Sequence, residues 1–111
     1  PRLEYDFGLA TCEPGARTSA FQWDYPNGWA PLHFIAVHGL LRYGYRAEAE
    51  RIARKYIHAI DRTFAETGTL WEKYNVTDGT LNVTDEYKMP PMLGWTAGVY
   101  VDFTTLLAPN G

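Results

Sequence analysis

Between residues 46 and 66 the apolar side chains Ala49, Ile52, Ala53, Tyr56, Ile60 and Phe64 recur every three or four positions. That period places them on one stripe of an α-helix. Glu50 and Arg54, four residues apart, form a supporting ion pair on the outside. A second helical run precedes it, over about residues 30–43. Leu32, Phe34, Ile35, Val37, Leu40 and Leu41 make this run apolar on most sides, which predicts deep burial. Pro31 suits its first turn, where a missing N–H costs nothing. Gly44 stops it, and Gly44-Tyr45 alone separate the two runs, so they pack as antiparallel neighbours. Gly68 ends the second run at a position where a left-handed cap residue is expected. A third helix over about 95–107 carries Val99, Phe103, Leu106 and Leu107. Before it come an extended piece, Thr69–Tyr74, and a turn-rich stretch, Asn75–Asp85. Residues 1–22 lack periodicity, contain the turn signal Cys12-Glu13-Pro14-Gly15, and read as loop. The pattern supports an all-α class.

Composition narrows the possibilities. A chain of 111 residues fits one small domain. Four Trp, eight Tyr and five Phe are more than such a domain can hide. The excess predicts surfaces that belong against another chain or a further segment. The net charge is −3, and the basic cluster Arg51, Arg54 and Lys55 is interleaved with Glu48 and Glu50. No nucleic-acid partner is expected, and no apolar run reaches the ~20 residues of a membrane span. Cys12 stands alone, which excludes an internal disulfide and a cysteine-based zinc site. His33 and His38 lie five apart on different helix faces and His58 is on the next helix, so no metal site is expected.

The chemistry concentrates in Gln22-Trp23-Asp24-Tyr25-Pro26-Asn27-Gly28-Trp29-Ala30-Pro31. Two indoles, a carboxylate and two amides in one short segment suit a carbohydrate site. Indole faces stack on the apolar faces of a pyranose, and fixed polar groups read its hydroxyls. This segment resembles the QWDxPxGWAP signature of the α,α-trehalases, inverting glycoside hydrolases that split trehalose into two glucoses. Trp71-Glu72-Lys73-Tyr74 resembles the family's E-K-Y element, and Glu86-Tyr87 with Gly94-Trp95-Thr96-Ala97-Gly98-Val99 resembles its closing E-Y…G-W-T-N-G-V stretch. The sequence departs from that pattern at Thr80–Asp85, where a glycine-rich run is usual, and at Ala97, where the family has Asn. These departures bear on the loop over the site and on substrate preference.

The resemblance, which covers about residues 20–102, implies the C-terminal helices of an (α/α)6 toroid. On this reading residues 1–22 are a lead-in, and 23–111 hold the signature turn, helices and active-site loops. The toroid's N-terminal remainder would be a partner, in cis or as a separate chain. Pro1 in place of an initiator Met agrees with a processed or truncated product. The expected substrate is a disaccharide, trehalose, and no cofactor is needed for its hydrolysis.

Inverting hydrolysis needs one carboxyl to protonate the leaving oxygen and another to activate water from the opposite face. The resemblance assigns the base to Glu72, between Trp71 and Tyr74, whose apolar surroundings would tune it to take a proton. In an extended segment Lys73 should point to the opposite side. Asp24 and Glu86 are the carboxyls at hand as its partner, but the family takes its acid from an upstream Asp absent here. Asp24 then orients the site, caps the helix beginning near Ala30 or binds sugar, and Glu86 binds a sugar hydroxyl or is a solvated loop carboxylate. Trp23 lies before the turn with a face open for stacking, whereas Trp29 enters the helix and reads as core. Gln22 and Trp95 complete the candidate binding set, with a strand-end amide bonded to backbone as the equal alternative for Gln22 and barrel packing for Trp95. Asn75-Val76-Thr77 and Asn82-Val83-Thr84 both satisfy the glycosylation sequon. Two other readings remain open: an α-toroid glycosidase for another small glucoside, and a non-catalytic carbohydrate-binding fragment.

Overall fold

A computed structural model describes residues 2–15, 21, 23–83 and 88–109, residue 93 by its backbone alone. Three helices dominate it: α1 (Ala30–Arg42), α2 (Arg46–Thr67) and α3 (Leu93–Leu107). All three expected helices are present, with ends within two residues of the sequence estimate. Pro31 sits in the first turn of α1. Gly44 and Gly68 take positive φ angles of 84° and 73°, reversing the chain where a side chain would be strained. The Gly68 N–H donates to the Phe64 carbonyl, a left-handed cap on α2.

The core lies where the three helices meet. Ala49, Ile52, Ala53, Tyr56, Ala59 and Ile60 of α2 are buried there with Val37 of α1 and Val99 and Phe103 of α3. Tyr56 stands edge-on to Phe103 with ring centroids 5.4 Å apart, and its hydroxyl donates to the Thr96 carbonyl at 3.1 Å. The outer face of α2 carries the Arg54–Glu50 pair together with an Arg46–Glu50 pair.

Burial differs from expectation in two places. Helix α1 is not covered on most sides: Ala30, His33 and Val37 face inward, while Phe34 and Ile35 are 41% and 66% exposed. Phe64 is also exposed, and Thr63 is the buried residue of that turn. Both results have the same cause. Each of these helices is covered on one side by the elements present here, and its remaining apolar side has no neighbour among the described residues.

Four short strands position the loops. Within the stretch read as loop, β1 (Glu4–Tyr5) and β2 (Gly8–Leu9) pair antiparallel. Across the molecule, β3 (Asn27–Trp29) pairs antiparallel with β4 (Lys73–Asn75), matching Asn27 to Asn75, Gly28 to Tyr74 and Trp29 to Lys73. The tight turn falls at Asp24–Asn27, closed by the Asn27 N–H on the Asp24 carbonyl at 3.0 Å, with a cis Tyr25–Pro26 peptide. Asn27–Trp29 itself is strand. Gly28 lets β2 and β4 close in on β3, since a Cβ there would meet Val76 Cγ1 at 2.3 Å.

Candidate active site

The β3–β4 ladder joins residues 44 to 48 positions apart in sequence and puts Trp29 opposite Lys73. Glu72 precedes β4 at a bend, and its N–H donates to the Pro90 carbonyl at 3.3 Å. Leu70 accepts from the Met92 N–H, and Trp71 bridges Pro91, so residues 70–72 are also held from the side of residues 90–92. The Thr96 hydroxyl donates to the Trp71 carbonyl at 2.8 Å, tying the first turns of α3 to the same place. Glu72 is 6% exposed. It does not face bulk solvent.

Lys73 does not point away from Glu72. Its Nζ donates to Glu72 Oε1 at 2.8 Å, and both side chains are buried. Strict side-chain alternation needs regular strand geometry, and the bend at Glu72 breaks it. The surroundings of Glu72 are thus ionic as well as apolar. The same Nζ lies 5.0 Å from the centroid of the Trp29 ring, within cation–π range.

Three indoles gather around this pair. Trp23 stacks on Trp29 with centroids 3.8 Å apart and planes 13° apart, and Trp95 meets Trp29 edge-on at 5.9 Å. Trp29 is buried, at 2% exposure, whereas Trp23 remains 39% exposed. This is the division expected from their places on either side of the turn. Trp95 keeps a similar exposure and lines a shallow apolar groove with Pro31, Phe34, Ile35, Gly98 and Val99. Glu72, Trp23 and Trp95 therefore belong to one neighbourhood, linked through Lys73 and Trp29. Gln22 and Glu86 lie outside the described residues.

Asp24 does not cap α1. Trp29 holds the N-cap position, without a side-chain cap bond, and Asp24 Oδ2 instead accepts the Phe21 N–H at 3.0 Å. The strand Asn27–Trp29 separates Asp24 from the helix, so its carboxylate organises the turn. Ala97 lies in a groove between α2 and α3 with Ile60, Phe64, Leu70 and Tyr100, away from the indoles.

Two features were not singled out by the sequence reading. The first is Lys73. The second is His33, which is fully buried, its Nδ1–H donating to the Trp29 carbonyl at 2.8 Å and its Nε2 accepting the Leu9 N–H at 2.9 Å. Burial lowers its pKa from 6.5 to about 4, against the opposing effect of the Trp29 carbonyl. It is a neutral bridge between β2 and the start of α1. Tyr74 closes the same junction, donating its hydroxyl to the Phe7 carbonyl at 2.6 Å. Of the two sequons, Asn75 is buried and committed, its amide donating to the Asn82 carbonyl and its Oδ1 accepting from Thr77. Asn82 is exposed.

Among the described residues no group of three His, Cys, Asp or Glu is arranged to hold a metal ion. None of their helices is long and apolar enough to cross a membrane. Cys12 is a half-buried free thiol, 3.7 Å from the Trp23 carbonyl.

Comparison with known proteins places this arrangement. Residues 3–108 match the trehalase family model. The chain belongs to the trehalase family. It is similar to the periplasmic trehalase of Pseudomonas aeruginosa, 39% identical over 104 residues that cover 93% of this chain and 18% of the relative. The periplasmic trehalase of Xanthomonas axonopodis pv. citri is 43% identical over 93 residues, 83% of this chain and 16% of that protein. Among solved structures, neutral trehalase Nth1 from Saccharomyces cerevisiae superposes with a TM-score of 0.80 at 32% identity, covering 99% of this chain and 19% of the yeast chain. The chain thus spans under a fifth of the length of these trehalases. Its three helices have the trehalase toroid fold, of which they form a part.

Proposed function

We propose that this chain supplies the general base and part of the sugar-binding wall of an inverting hydrolase acting on α,α-trehalose. The observation that carries the reading is the buried Glu72 carboxylate in the neighbourhood of three indoles, of which Trp23 and Trp95 are open to solvent. In this scheme a glucosyl ring stacks on the free face of Trp23, with Trp95 at the edge. Glu72 accepts a proton from the water that attacks the anomeric carbon. The general acid comes from outside residues 1–111 and protonates the glycosidic oxygen from the other face, roughly 6.5–9.5 Å from the base. Gln22, Asp24 and Glu86 complete the set as ligands of sugar hydroxyls. The remainder of the toroid, in cis or as a second chain, is the partner that completes the site.

The test uses the full-length protein. Glu72→Gln should lower trehalose turnover by about 100-fold or more, and activity near that of the parent would reject the assignment. Proton NMR of the nascent sugars tests the stereochemistry. Inversion releases one α- and one β-glucose from each trehalose, whereas two α-glucoses at the earliest times would exclude it.

A further inference from the structure

We propose that Lys73 is a positioning residue for Glu72: held against Trp29, its ammonium pairs with the neighbouring carboxylate and keeps it oriented to receive a proton. The inference rests on the reading of Glu72 as the base.

The placement of Lys73 is what needs explaining. It is among the largest fully buried side chains of the molecule. Burying an ammonium costs several kcal/mol unless it is closely paired, and an apolar residue of similar volume is often as stabilising at such a position. Packing alone therefore does not call for lysine. Yet the side chain is anchored twice, 2.8 Å from Glu72 Oε1 and 5.0 Å from the Trp29 ring centroid. The β3–β4 register sets Trp29 directly opposite Lys73, so the Trp29 anchor is built into the backbone pairing.

The chemical consequence follows from opposing effects on a buried carboxyl. Burial favours the neutral acid, which cannot accept a proton, while an adjacent ammonium favours the carboxylate. Lys73 on β4 is an ionic partner of Glu72. Trp29 is in turn stacked under Trp23. A sugar on the exposed indole and the proton acceptor therefore share one rigid assembly, Trp23 over Trp29 over Lys73 beside Glu72.

The variants are Lys73→Gln, which keeps a donor for Oε1 without the charge, and Lys73→Arg, which keeps the charge. Lys73→Met serves if the glutamine variant does not fold, with the same expectation. Two readouts are followed in the full-length protein, the pH profile of kcat/KM on trehalose and the ¹³C-carboxyl NMR titration of Glu72, assigned with Glu72→Gln. Loss of the charge should displace the acidic limb of the profile to higher pH by about one unit or more. At neutral pH kcat should fall by about tenfold or more while KM changes by less than about threefold. The carboxyl titration should move in the same direction, and arginine should restore part of the displacement. If the uncharged variant folds and neither the limb nor the NMR midpoint moves, Lys73 does not position Glu72, even with Glu72→Gln inactive. If the parent protein fails to hydrolyse trehalose but the NMR midpoint moves, the function reading fails and the action of Lys73 on Glu72 stands.

Discussion

The buried His33 makes the stability of this fold depend on pH in a defined window. In the unfolded chain the imidazole titrates at its ordinary 6.5, while burial in the fold lowers this to about 4. Protons therefore bind the unfolded state more tightly, and stability rises with pH between the two values. The contribution is fully present above 6.5 and is lost as pH falls towards 4. The whole separation corresponds to about 3 kcal/mol, and lowering pH from 7 to 5 should remove about 2 kcal/mol of it. That is a large share of the margin of a small domain. The structural reason is that a proton on Nε2 removes the acceptor for the Leu9 N–H and leaves a charge in a site shared with Tyr56 and Tyr74. Urea unfolding followed by circular dichroism at pH 7 and pH 5 measures the loss. His33→Gln is the control, since its amide has both a donor and an acceptor but does not titrate. The variant is expected to be less stable at pH 7 yet to lose about 2 kcal/mol less than the parent between pH 7 and 5. Equal losses in parent and variant would refute the reasoning.

Two further predictions concern the scaffold. Phe103 is fully buried against Tyr56, so Phe103→Ala should cost about 3–5 kcal/mol in urea unfolding; a cost below about 1 kcal/mol would mean that the helix interface collapses around the cavity. Glu4 accepts a two-pronged contact from Arg51 and a bond from Lys55 at 2.7 Å. Arg51 foremost, then Lys55, hold its pKa near 2 against the opposing effect of burial. Its contribution is present above 4.5 and lost as pH falls towards 2, so Glu4→Gln should flatten acid unfolding in that window, by about 1 kcal/mol at a site open to solvent screening.

The three helices were legible because their information is local. A stripe repeating every three or four residues defines α2, Pro31 marks the start of α1, and Gly44 and Gly68 sit where the chain must turn left-handed. The split between Trp23 and Trp29 was legible too, since one precedes the turn and the other adjoins the helix. Helix α1 was misjudged because an apolar residue carries no record of which neighbour covers it. Phe34 and Ile35 are as hydrophobic as Val37, yet of the three only Val37 is buried. The helix cap expected of Asp24 failed because a three-residue strand lies between the turn and α1.

By itself, then, the amino-acid order determined the helical segments, their ends, and the carboxylate and indoles proposed for the sugar site. Tertiary structure alone decided that Lys73 lies on Glu72, that Trp29 is clamped between Trp23 and Lys73, and that His33 is a neutral strut. The reason is range. Helix period and turn chemistry act over a few residues, whereas these contacts depend on pairing β3 with a strand 44 to 48 positions away and on a bend that overrides strand alternation.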